Sequence, residues 1–153
     1  MLQEIDKKIV LNQLISTIDE KMQQANLQAK DLADSLQNES KSTAGDKHDT
    51  GRAMIHLEQE KLQHQFQELR NQMQQIKTIS HLENSNHIVE YGSFIKAGDF
   101  YFLLGVGIGK QIVNGILVYC IGMETPIGKI LNGRKKGDQF TFTNQDLIIE
   151  EIS

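Results

Sequence analysis

Residues 11–36 read LNQLISTIDEKMQQANLQAKDLADSL, and within them Leu11, Ile15, Ile18, Met22, Ala25, Ala29, Leu32 and Leu36 recur at alternating steps of four and three. That alternation is a heptad seam: one narrow apolar stripe on a helix whose other faces are polar. The intervening positions are mainly Gln, Asp, Lys and Glu, of which Gln, Lys and Glu keep much of their rotamer freedom in a helix. Such a stripe has to be covered by something.

The cover lies downstream. Ile55, Gln59, Leu62, Phe66, Leu69, Met73 and Ile76 repeat the same spacing, with Gln59 the one polar member. Neither segment contains proline. Two helices of similar length on a short link pack antiparallel, which predicts a coiled-coil hairpin over residues 1–80. A helix from Gln3 to Asn38 would be roughly 50 Å long, too long to lie wholly on a domain built from the remaining chain. The expectation is a hairpin that projects or pairs, with its tip far from the body.

The tip, at about 39–52, lies within Glu39–Met54, ESKSTAGDKHDTGRAM. Its acids are Glu39, Asp46 and Asp49; Lys41, Lys47 and Arg52 cancel their formal charge. Two carboxylates three residues apart on a rigid support can share a hard cation and polarise a water for attack on a phosphodiester, once a partner supplies the remaining ligands. The plainer reading is that Asp46 and Asp49 solvate a turn and favour the N-terminus of the second helix through its dipole. His48 is either a proton carrier or a polar turn residue.

From His87 the pattern changes to short β-rich runs divided by glycines: HIVEYGSFIKAG, DFYFLLGVGIG, QIVNGILVYCIG and QFTFTNQDLIIEEIS. The last run splits into strands at Gln139–Thr143 and Leu147–Ile152, joined by Asn144, Gln145 and Asp146. Between Cys120 and Gln139, Thr125 can cap a short helix, Pro126 can open it and Gly133 can end it. HLENSN, residues 81–86, is the expected linker, and residues 87–153 form the second domain, a small and mainly antiparallel sheet. The fold class is therefore α+β.

A formal charge of −4 gives no support for bulk attraction to nucleic acid. The single cysteine, Cys120, excludes an internal disulfide and fits a reducing compartment. The first 21 residues carry charge throughout, with no apolar run long enough for a signal peptide or membrane span. Together these point to the cytoplasm and away from the membrane. Gly105, Gly107 and Gly109 before Lys110 imitate a phosphate loop, but the spacing and the following Gln111 do not match one. Cys120 reads as core, and His56, His64, His81 and His87 show no ligand-like grouping with it.

The plan of helical hairpin plus small β domain, closing with TPIGKILNGRKKGDQFTF and LIIEEI, resembles the GreA/GreB transcript cleavage factors. Thr125, Pro126, Ile127, Gly128, Leu131, Gly133, Lys135, Gly137 and Asp138 fit that family's closing segment. The resemblance implies an FKBP-like β domain and a transcription elongation factor that binds bacterial RNA polymerase. The hairpin would enter the secondary channel and bring tip acids to the catalytic magnesium, so that the polymerase, not this chain, cleaves backtracked RNA. No cofactor of its own is implied; Mg2+ is held only jointly with the polymerase, and nascent RNA is met indirectly there.

In one register Gly45, Asp46, Lys47, His48, Asp49 and Thr50 align with the family's tip pattern G-D-x-x-E-N. In a second, His48 and Arg52 match its downstream aromatic and basic residues, and Glu39 is the acid nearest the right place. Lys41, Lys47, His48 and Arg52 are candidate tip contacts. Lys129, Arg134, Lys135 and Lys136 are candidates for docking on the polymerase, or else a solvated loop. A monomer is favoured, with a dimer open. The competing reading is a coiled-coil adaptor or self-association protein.

Overall fold

The computed structural model describes residues 5–40 and 45–153, with the side chains of residues 39–49 outside that description. The architecture is the α+β plan: two long helices packed on each other, then a six-stranded, mainly antiparallel sheet and one short helix. The two helices are α1 (Lys7–Ser40) and α2 (Gly45–Ser80), of 34 and 36 residues. At the standard rise each is roughly 50 Å long. Asp6 starts α1, its Oδ1 accepting from the Ile9 N–H at 2.8 Å, one of the donors that the first turn otherwise leaves unpaired.

By its contacts the chain divides into two units, residues 16–73 and residues 1–15 with 74–153. In the helical unit Ile18, Ala25, Leu62 and Leu69 are buried, and Met22, Leu32, Leu36, Ile55, Gln59, Phe66 and Met73 are half-buried. The seams therefore do face each other. Ala29 is the departure, since it is exposed. Its methyl group is too short to span the gap, and the seam opens there into a groove of about 460 Å³ lined by Ala25, Ala29, Gln59, Leu62 and Phe66 among others. The Arg70 guanidinium lies over the Phe66 ring, 5.2 Å from its centroid.

The other unit is built on β1 (Phe94–Ala97), β2 (Phe100–Leu104), β3 (Gly109–Val113), β4 (Ile116–Ile121), β5 (Gln139–Phe142) and β6 (Gln145–Ile152), in the order β3-β4-β2-β1-β6-β5. Among the described residues only β2 and β4 pair in parallel. The β3–β4 hairpin turns on Asn114 and Gly115, both at positive φ, as a two-residue hairpin turn of matching twist requires. The last hairpin turns one residue earlier than the sequence predicts. Thr143 (φ 50) and Asn144 (φ 63) make the turn and β6 already begins at Gln145, so the chain reverses through two residues rather than three.

The sheet is strongly curled. Phe142 of β5 lies 5.0 Å from Tyr119 of β4, although β2, β1 and β6 stand between them in the sheet order. Phe102 sits inside the curl, fully buried, with Tyr119, Phe140 and Phe142 at 5.7, 5.8 and 5.1 Å. Val89, Ile95, Leu104, Leu131 and Ile149 complete that core. The helix segments of the same unit supply a further buried set, Val10, Leu11, Leu14, Ile76 and Ile79. Ile79 packs at the Gly105 turn, where an added Cβ would come within 3.1 Å of it and 2.7 Å of the Tyr91 ring.

Residues 81–91 are tied down through Asn84. Its Oδ1 accepts from Lys7 Nζ at 2.5 Å, while its Nδ2 donates to the Tyr91 carbonyl at 2.7 Å and to Glu90 Oε1 at 3.2 Å. Glu90 Oε1 also accepts from the Ser85 N–H at 2.9 Å. These bonds hold the Glu90 carboxyl below its ordinary pKa of 4.5, the Ser85 bond most, then Asn84, with the Lys7 charge adding to them. Burial pushes the Lys7 ammonium below its ordinary 10.5, against the attraction of Glu90.

Candidate functional site

Two sets of residues were candidates on sequence, one at the helix connection and one around α3. α2 begins at Gly45, so the connection between the helices is the four residues 41–44. Position 39 falls in the last turn of α1, and positions 46 and 49 in the first two turns of α2. There the exposed N–H groups of a helix start favour acids. Lys41 lies outside the described residues, as do the side chains of Glu39, Asp46, Lys47, His48 and Asp49. Arg52 is described and half-buried. Gly51 lies inside α2.

The basic set is fully described. α3 (Pro126–Leu131) forms as the sequence predicts: Thr125 is the N-cap, its Oγ1 accepting from the Gly128 N–H at 3.1 Å, and Pro126 takes the first turn. Asn132 closes the helix, and Gly133 follows at φ +85, a conformation that suits glycine. Gly128 is needed for contact, since a Cβ there would stand 2.3 Å from the Gly122 carbonyl oxygen.

That packing fixes where the cations go. Lys129, Arg134, Lys135 and Lys136 are all exposed, and none has an ion pair among the described residues. Arg134 Nε donates to the Ile130 carbonyl at 3.0 Å, and the Lys135 N–H donates to Asp138 Oδ2 at 2.8 Å. The Asp138 carboxylate, the nearest acid in sequence, is thus engaged with backbone rather than with a lysine head group.

Two apolar residues that sequence reasoning missed complete the patch. Ile130 on α3 is 41% exposed and Ile88 is 42% exposed. Ile88 bridges Lys135, while the Val89 N–H donates to the Arg134 carbonyl and the Gly133 N–H to the Val89 carbonyl, both at 2.8 Å. Two aliphatic side chains and four unpaired cations thus occupy two backbone segments bonded to each other. Exposed apolar residues rimmed by charge are the usual make-up of a protein-contact surface.

No family model, curated protein or solved structure matches the chain.

The remaining candidates resolve simply. Burial pushes the Cys120 thiol up to about 12, which keeps it a thiol and suits core packing. Lys110 lies in β3 with Nζ 5.9 Å from the centre of the Tyr119 ring; of the glycines before it, Gly105 and Gly107 lie in the β2–β3 connection and Gly109 opens β3. Among the described residues no group of three His, Cys, Asp or Glu side chains could hold a metal ion. Among them, too, no helix is long and apolar enough to cross a membrane.

Proposed function

We propose that this chain is a Gre-like factor of bacterial RNA polymerase. The sheet-bearing unit docks through Lys129, Arg134, Lys135 and Lys136, the helical hairpin enters the secondary channel, and the acids beside its connection act on the polymerase active site. Magnesium there takes oxygen ligands at about 2.0–2.1 Å in near-octahedral geometry. A carboxylate delivered on a stiff helix end supplies one or two of those ligands, and the polymerase then cleaves backtracked RNA with a better-held ion. This chain is a regulator, not an enzyme.

The observation that carries the reading is the unbroken run of α1 and α2 up to a connection of only four residues, 41–44. Glu39, Asp46 and Asp49 then fall at the helix ends beside that connection. Support also comes from α3, whose Thr125 cap, Pro126 and tightly packed Gly128 give the closing segment a defined shape beside a cationic surface. The test is RNA release from a stalled elongation complex with the full chain, with a deletion of residues 40–50, and with buffer. Release accelerated only by the full chain supports the reading; the same rate in all three overturns the cleavage role.

The alternative, an adaptor whose hairpin recruits another protein, is favoured by Leu27, Met54 and Leu57, which are 64, 65 and 52% exposed. Recovery of polymerase subunits in a pull-down separates the two.

A further inference from the structure

We propose that the patch of Ile88, Ile130 and the four cations of residues 129–136 binds the outer face of α1 in a second copy of this chain, around Leu27. The patch is an isolated positive feature. The segment from Lys129 to Lys136, KILNGRKK, holds four cations and no acid, in a chain whose total is −4, so everything outside it sums to −8. A nucleic-acid backbone would meet that negative remainder, and its phosphates have no use for two exposed isoleucines. The matching surface is acidic, limited in extent and partly aliphatic.

The chain itself carries such a surface. Glu20, Leu27, Asp31 and Asp34 are spaced by seven, four and three residues along α1, which puts them on one helix face. All four are exposed, Leu27 at 64%, and it is the large apolar residue on the stretch of that face between Glu20 and Asp34. None of the three acids has an ion pair among the described residues. Leucine between unpaired acids on one copy is thus the chemical complement of isoleucines between unpaired cations on the other.

Each copy owns one patch and one acidic face, so the contact joins unlike surfaces, and two copies close as a dimer where one twofold axis brings both pairs together. Much of the attraction is between exposed charges, which ordinary salt screens over about 8 Å. The dimer is therefore salt-sensitive, and it covers the same cations that the polymerase-docking reading uses. Self-association and docking would compete. The inference does not depend on that reading, because its test contains no polymerase.

Sedimentation velocity on the full chain at low and high salt reads the association directly. The expected result is a dimer at low salt that dissociates at high salt. Charge reversal on either side, Lys135→Glu with Lys136→Glu or Asp31→Lys with Asp34→Lys, should raise the dissociation constant at least about tenfold. Mixing the two variants should restore association, because both contacts in the mixed dimer again join opposite charges. A wild-type chain that is monomeric at low salt overturns the inference. So does charge reversal without effect, or a mixture that stays monomeric while each variant keeps its native circular dichroism.

Discussion

The helical unit and the sheet unit are held together in opposite ways. In residues 16–73 the covered side chains form a single row on each helix, several are only half-buried, and one seam position, Ala29, opens to solvent. In the sheet unit Phe102, Ile95, Leu104, Leu131, Ile79 and Ile76 are at or near zero exposure, and rings from β2, β4 and β5 meet within 6 Å. Each turn of the pair repeats the last, its cover coming from the facing helix. The sheet unit has a centre, and losing the centre loses the unit.

The largest effect should come from attacking that centre. Phe102→Ala removes the ring on which Tyr119, Phe140 and Phe142 converge and should cost about 3–5 kcal/mol. Urea unfolding followed by tyrosine fluorescence would show the shift in midpoint, and a cost below 1 kcal/mol would mean that the curl does not rest on this ring. A smaller change of opposite sign is expected in the helical unit. Ala29→Leu puts an aliphatic side chain into the open groove beside Gln59 and Phe66 and should stabilise by about 1 kcal/mol. A fall in the thermal midpoint monitored at 222 nm would show the groove to be already filled.

The smallest effect is electrostatic. With Glu90 acidified by folding, the unfolded chain binds the extra proton between the two pKa values, so stability rises with pH there. The contribution is complete above the ordinary 4.5 and is lost as pH falls through the depressed value. Glu90→Gln should lower stability slightly in the neutral region and flatten the acid limb, so that the two chains converge at low pH. An acid limb as steep as that of the wild type would remove Glu90 from the account.

These differences also explain what could be read in advance. The two seams were legible because helical periodicity is local: of the fifteen positions assigned to them, only Ala29 is uncovered. The cap, first turn and end of α3 were legible for the same reason, since Thr125, Pro126 and Gly133 act on their own neighbours. The sheet order was not, because β4 lies beside β2 only through pairing across the intervening β3. The Thr143–Asn144 turn was missed because threonine is a poor candidate for positive φ. At the site, a run of cations is visible as letters, but nothing local says that Ile88 and Ile130 stay exposed while Val89 and Leu131 beside them are buried. That distinction is made by the sheet they pack on.

The division of the chain has a consequence for biosynthesis. Residues 1–15 share a unit with residues 74–153, and Lys7 reaches the carbonyl of Ser153 across 146 positions at 3.4 Å. A ribosome emitting roughly 5–20 residues per second exposes Val10, Leu11 and Leu14 well before the strands of that unit exist. In the interval the α2 segment is the first long partner to emerge, and closing the pair brings the two ends of the later unit toward each other. The helical pair, the looser of the two units, would then act as the template on which the tighter one is completed.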